Sequence, residues 1–332
     1  MSVEGLDLPA LSAHLEREVG LAGPLEVSLI SGGRSNLTYA VTDGTHRWVL
    51  RRPPLGHVLA SAHDMGREYR VMKALGGSAV PVPTMVTHCT DVEVTGAEFY
   101  VMGFVDGAIY RTPAQLRAIP DAKRLVDELV STLVALHEVE PGTVGLGDLG
   151  RPVGYAERQV RTWTRQLAAS RSRDLPDLDR LAERLAADVP VGARASIVHG
   201  DYRLDNVVVR DDLTVAAVLD WEMATLGDPL TDVASMAVWW DGLTGLDSPV
   251  AAVPGEFTDV DSAYLLRRYA ELSGADLGAM SWYLAFAFFK LAAIFEGIHY
   301  RFQQGGTVGE GFDRIGALVE PMTVAGHREL DR

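Results

Sequence analysis

The chemistry in this chain is concentrated in one stretch. His199-Gly-Asp201-Tyr-Arg-Leu-Asp205-Asn206 is followed fourteen residues after Asn206 by Asp220, within Val218-Leu-Asp220-Trp-Glu222. Asp201 precedes Asn206 by five residues. Phosphoryl transfer to a hydroxyl needs a carboxylate that accepts the hydroxyl proton. It also needs an amide oxygen and a second carboxylate to hold Mg²⁺ over the leaving phosphates. Asp201 fits the first role, and Asn206 and Asp220 fit the second, because hard Mg²⁺ takes oxygen ligands. A lone Asp in a turn or a lone His is common structural material, and His199 is read as structural. The trio carries the reading through its order and spacing.

A second group of residues suits oxyanion binding. In Gly32-Gly33-Arg34-Ser35-Asn36 the paired glycines let backbone N–H groups approach phosphate oxygens, and Ser35 and Asn36 add side-chain donors. Arg34 could meet phosphate or only water.

These residues need elements to hold them. Asp7 caps a first helix with Pro9 in its first turn and Leu11, Leu15 and Val19 at helical spacing, and Gly20 and Gly23 end it. From Leu25 to Arg52 the alternation is that of an antiparallel meander with turns at Gly32-Gly33 and Asp43-Gly44. Ser61 opens a second helix running through Glu68 to Leu75, and short strands follow around Met85 and from Phe99 to Phe104. After Gly107 long amphipathic segments take over: 122–137, 155–169, 178–187, 230–240, 261–272, 277–304 and 312–325. They are interrupted from Ser196 to Asp220 by two short β-branched runs, which read as a hairpin with Asn206 and Asp220 at its ends.

At the H-G-D-x-x-x-x-N loop and the strand ending in Asp220, the sequence resembles the kinase-like phosphotransferases of the aminoglycoside phosphotransferase and choline kinase branch. The segments Gly32 to Asn36, Val49-Leu-Arg-Arg-Pro-Pro54, Arg67-Glu-Tyr69 and Gly227-Asp-Pro-Leu-Thr-Asp232 are most similar to the kinase-like domains associated with acyl-CoA dehydrogenases. The resemblance implies an α+β, bilobal protein kinase-like fold. Its N-lobe, residues 1–103, would be an antiparallel sheet with one long helix; a hinge would follow at 104–107, and a mainly helical C-lobe at 108–332. It implies Asp201 as catalytic base, Asn206 and Asp220 on Mg²⁺, and the Gly32, Gly33, Arg34, Ser35 and Asn36 loop over the phosphates of ATP, with GTP as an alternative. Met102 would stand behind the adenine, with backbone groups of Gly103, Phe104 and Val105 on its edge. Asp228 and Asp232 would brace the catalytic loop.

One departure from the family pattern falls at the strand lysine. Aligning Trp48-Val-Leu-Arg51 with the kinase V-A-I-K strand puts Arg51 where the family pairs phosphate and the helix carboxylate, here Glu68. Arginine can serve both partners bidentately. A register shift would give the contact to Arg52, and Glu68 could instead be a solvated helix charge.

The chain has 332 residues and a formal charge of −15. An acidic chain lacks the Lys and Arg surplus that grips nucleic acid without regard to sequence, so no nucleic-acid partner is expected. Its single cysteine, Cys89, permits no internal disulfide and no Cys-based zinc site. No leader pattern is read in the first twenty residues, and a cytoplasmic location is the expectation. The apolar run Met280 to Ile298 carries Lys290 and Glu296, which favours a buried helix over a membrane span. The expected activity is ATP-dependent transfer of the γ-phosphate to a small-molecule hydroxyl, with a hydroxyacyl-CoA or hydroxy acid as acceptor and a monomer or homodimer as the working form. The alternatives are an aminoglycoside O-phosphotransferase and a nucleotide-binding pseudokinase. Aromatic residues of the late helices, from Trp239 to Tyr300, belong to the core or line an acceptor pocket.

Overall fold

A computed structural model describes residues 4–30, 36–55, 64–192, 194–249, 260–306 and 311–332. In chain order the elements are α1 (Leu8–Val19), β1 (Glu26–Leu29), β2 (Leu37–Thr42), β3 (Arg47–Arg52), α2 (Met65–Leu75), β4 (Met85–Cys89), α3 (Val92–Thr95) and β5 (Phe99–Gly103). Then come α4 (Pro113–Arg117), α5 (Ala122–Glu138), α6 (Tyr155–Ala169), α7 (Pro176–Ala187), β6 (Ser196–Val198), β7 (Val207–Val209), β8 (Val215–Val218) and β9 (Thr225–Gly227). The chain ends with α8 (Leu230–Asp241), α9 (Ser262–Ser273), α10 (Met280–Gln303), α11 (Phe312–Ile315) and α12 (Val319–Leu330). By packing it divides into two units, 1–108 with 207–224 and 109–206 with 225–332.

The first unit is built on a five-stranded antiparallel sheet in the order β1-β2-β3-β5-β4. Strand alternation splits β3 between two faces. Trp48 and Leu50 join Leu11 and Leu15 of α1, Tyr39, Val41, Phe99 and Val101 in one apolar cluster. Val49 and Arg51 point the other way. Arg51 stands directly opposite Tyr100 on β5, so the two side chains share that face. The helix under it, α2, spans Met65–Leu75 on an Asp64 cap and buries Glu68, Val71, Met72 and Leu75, while Ser61 lies outside the described residues. Asp64 accepts the Arg67 N–H at 2.8 Å, the bond of an N-cap.

The β7–β8 hairpin belongs to this first unit rather than to the helical part that the sequence suggested. Val209 bridges Ala108, the Val218 N–H donates to the Pro81 carbonyl at 2.8 Å, and the Arg67 Nε donates to the Ala224 carbonyl at 3.0 Å. Gly107 allows the approach: a Cβ there would lie 2.6 Å from the Val209 oxygen.

The second unit is helical, with a two-stranded β6–β9 ribbon. Its centre is α10, which packs against α6, α7, α8 and α12. The final segment is not one helix. A Cβ at Gly316 would lie 2.6 Å from the His299 ring, and this close approach to α10 falls where α11 gives way to a 3₁₀ turn before α12.

Candidate active site

In the first unit Glu68 is fully buried. It accepts from Arg51 Nη1 at 2.9 Å, from the Tyr100 hydroxyl at 2.8 Å and from Asn36 Nδ2 at 3.4 Å. Burial pushes its carboxyl above the usual range, while Arg51 and the Tyr100 hydroxyl pull it back. Burial also works against the Arg51 charge, but Tyr100, Glu68 and Asp220 outweigh it and raise the guanidinium pKa. The second arm of Arg51 reaches Asp220 Oδ1 at 3.3 Å. Arg51 is thus the residue that meets Glu68. Arg52 lies on the opposite face, bonded to the carbonyls of Gly5, Pro53 and Thr95.

Asp220 holds a left-handed conformation, φ 67° and ψ 62°, which is costly for a residue with a side chain. Trp221 behind it is fully buried and donates its indole N–H to the Val218 carbonyl. Carboxylate oxygens of Glu68, Asp220 and Glu222 lie within 4.8 Å of one another. The Arg51 guanidinium bonds to two of the three and supplies positive charge there.

Of the other residues expected to bind nucleotide, Gly32, Gly33, Arg34 and Ser35 lie outside the described residues. Asn36 is buried and directs its amide nitrogen at Glu68, and its Oδ1 has no hydrogen-bond partner among the described residues. Met102 is buried on the face of Tyr100. The N–H groups of Gly103 and Phe104 are already given to the Thr84 and Arg47 carbonyls, at 2.8 and 3.0 Å. Of the three hinge residues, Val105 is the one whose N–H has no main-chain carbonyl partner among the described residues.

In the second unit β6 delivers the chain to His199, and Gly200 turns it with φ 86°. Asp232, on the first turn of α8, accepts the His199 N–H at 2.6 Å and the Gly200 N–H at 2.8 Å. Burial opposes its charge, yet bonding and charge from His137, with His199 and the Gly200 N–H, hold its carboxyl below the usual range. His199 has the expected structural role: its Nδ1 accepts the Asp201 N–H at 3.2 Å. Asn206 gives its amide nitrogen to both the main-chain and Oδ2 oxygens of Asp201, each at 2.9 Å. With the donor end so committed, Oδ1 is the end left to face a cation, which fits a magnesium ligand. Asp228 is also structural, accepting the Leu230 N–H at 3.0 Å and the Tyr283 hydroxyl at 2.6 Å.

Two residues escaped the sequence reading. Arg203 stacks on Trp239, 4.0 Å from the ring centre, bonds to Asp205 and lies 3.8 Å from the Asp201 carboxylate. Beside it is a small cavity whose lining mixes Leu116, Leu204, Met236 and Trp239 with Tyr110, Arg203 and Asp205. Lys290 on α10 donates to the Gly200 carbonyl at 2.7 Å. Of the late aromatics, Tyr283, Phe286 and Phe289 are core, whereas Trp239 lines the cavity.

A sheet with one buried Glu-bearing helix, and a helical unit carrying an Asp-Asn loop, define a kinase-like phosphotransferase. The chain belongs to the phosphotransferase enzyme family, whose sequence pattern it matches over residues 26–276. A Ralstonia eutropha protein solved as a candidate aminoglycoside phosphotransferase is 33% identical and superposes with a TM-score of 0.82 over 98% of each chain. The fold is shared with the aminoglycoside phosphotransferase APH(4)-Ia in complex with AMP-PNP and hygromycin B, 17% identical with a TM-score of 0.65 over 96% of this chain and 98% of that one. Among curated proteins, acyl-CoA dehydrogenase family member 11 of Gallus gallus is 34% identical over 92% of this chain and 40% of its own length. Family member 10 of Mus musculus is 34% identical over 94% of this chain and 30% of its own length. The chain thus spans well under half of these relatives.

Proposed function

We propose that the protein transfers the γ-phosphoryl group of ATP to the hydroxyl of a hydroxyacyl-CoA or hydroxy acid, with Mg²⁺. The observation that carries this reading is the Asp201–Asn206 pair on a loop fastened by Asp232. A carboxylate held in this way is presented as a proton acceptor and is not free to turn aside. In the step itself, Asp201 takes the proton of the acceptor hydroxyl, whose oxygen bonds to phosphorus as the bond to the ADP oxygen breaks. Asn206 and Asp220 would hold Mg²⁺, which would supply charge neutralisation at the phosphates. Arg51 supplies the phosphate-pairing charge in place of lysine. The acyl acceptor is supported by the names of the curated relatives.

The test is ADP release from Mg·ATP by the purified chain with hydroxyacyl-CoA thioesters, free hydroxy acids and hygromycin B offered in parallel. Turnover should follow the acyl acceptors, and Asp201→Asn should lower it by roughly 10²- to 10⁴-fold, the usual worth of a general base. The thermal shift given by Mg·ATP should survive that substitution. A shift without turnover on any acceptor would make the chain a nucleotide-binding pseudokinase, and turnover on hygromycin B alone would move the acceptor to aminoglycosides.

A further inference from the structure

Lys290 occupies the middle of α10 among Phe286, Phe289, Leu291 and Ala293, all buried. An ammonium in such company is costly unless its donors and its charge are used. Its Nζ donates to the Gly200 carbonyl and lies 5.4 Å from the centre of the Trp163 ring on α6. Burial lowers its pKa, and two carboxylates, Asp201 from the loop and Asp232 from α8, raise it again.

The bond to Gly200 completes a set of restraints around one peptide group. The peptide joining Gly200 to Asp201 is gripped at its oxygen by Lys290 and at its N–H by His199. The N–H of Gly200, one peptide earlier, is gripped by Asp232. On the far side of Asp201, Asn206 holds the main-chain oxygen and the carboxylate. Glycine at position 200, with φ 86°, is the joint about which that peptide would turn if its oxygen were released. Turning it would swing the Cα–Cβ bond of Asp201.

We propose that Lys290 is a positioning residue for Asp201, holding the Gly200 carbonyl so that the carboxylate is presented to the acceptor hydroxyl in one direction. The inference rests on the reading of Asp201 as the base. Lys290→Met keeps most of the stem and removes both donor and charge, while Lys290→Gln keeps a donor on a shorter arm. Both are compared with wild type and with Asp201→Asn for ADP release from Mg·ATP with hydroxyacyl-CoA acceptors. Hydrogen exchange of the 196–206 segment is followed in the same proteins without acceptor.

Lys290→Met should lower kcat about 100-fold, the loss that a displacement near 1 Å can bring. The KM for ATP should stay unchanged, and Lys290→Gln should fall between Met and wild type. Amide exchange should rise at 199–202 while the rest of α10 stays protected. A wild-type kcat in Lys290→Met would overturn the proposal, as would a loss spread over kcat, KM and exchange along the whole of α10. Should Lys290→Met not fold, Lys290→Gln decides by the same criteria. If Asp201→Asn leaves turnover intact, the reading of the base fails, whereas loss in Asp201→Asn alone removes only the role of Lys290.

Discussion

Replacing Arg51 with methionine removes the guanidinium and leaves Glu68 fully buried with, among the described residues, the Tyr100 hydroxyl and an amide 3.4 Å away. Breaking a buried ion pair from one side costs about 3–5 kcal/mol. A second route gives a similar figure. If Glu68 escapes by taking a proton, the cost at pH 7 is that of protonating a carboxyl of ordinary pKa about 4.3, or about 3–4 kcal/mol at 1.36 kcal/mol per unit. The sign follows from linkage. In the variant the folded-state pKa of Glu68 lies above its unfolded value, so the penalty grows as pH rises from about 4 and shrinks as pH falls, by about 1.4 kcal/mol per unit. Urea unfolding of Arg51→Met against wild type at pH 7 and at pH 5.5 reads both the size and the slope. Arg51→Met/Glu68→Gln should recover most of the loss, because no carboxylate is left to strand. Arg52→Met is the control: it loses bonds to the Gly5 and Thr95 carbonyls and strands no acid, so its penalty should not move with pH. A cost below about 1 kcal/mol for Arg51→Met, the level of an exposed pair, would refute the argument. So would a cost equal at the two pH values.

Two further outcomes follow from single contacts. Burial works against the Asp43 charge, yet bonds from the His46 ring and the N–H groups of His46, Ala22 and Thr45 hold its carboxyl well below the usual range. Its stabilising effect is therefore complete above the unfolded pKa of about 3.9 and ebbs below it; between pH 5 and 3 the melting temperature of wild type should fall more steeply than that of Asp43→Asn, and parallel curves would count against it. Gly107→Ala sets a Cβ 2.6 Å from the Val209 oxygen and 2.7 Å from Val208 Cγ1. It should lower stability by about 1–3 kcal/mol in urea unfolding, the usual cost of overpacking, and an unchanged midpoint would refute the argument from the 107–209 approach.

The parts of this protein that were legible in advance are those set by short-range chemistry. Asp7 caps α1 because its side chain is three residues from the Ala10 N–H it accepts, and the meander follows from alternation and the Asp43-Gly44 turn. The His-Gly-Asp turn was legible as a break in helical periodicity. Less accessible were features fixed by partners distant in sequence. Strand alternation left Arg51 and Arg52 both open, and only the pairing of Arg51 with Tyr100 and the carbonyls around Arg52 separate them. The 207–224 segment reads as an interruption among helices, yet Ala108, Pro81 and Arg67 tie it to the sheet. Lys290 reads as a charge that spoils a membrane span. Its use depends on a carbonyl 90 residues away.

A single physical device recurs in both units. A carboxylate on a helix is taken out of water, and its oxygens are spent on the group it must hold. In the first unit that carboxylate is Glu68, spent on Arg51, Tyr100 and Asn36. In the second it is Asp232, spent on the His199 and Gly200 N–H groups and on His137, which in turn meets the Tyr269 hydroxyl. Burying such groups costs several kcal/mol each before their bonds are counted, so they are poor choices for stability alone. Their effect is to leave the held residue little freedom, since a shift would strand a buried charge. Arginine in place of the strand lysine is consistent with this device: its fork reaches Glu68 and Asp220 together, where a single ammonium lacks the planar pair of arms. The departure that motivates the binding-only alternative therefore places positive charge beside Glu68 and adds a second restraint, on the strained Asp220.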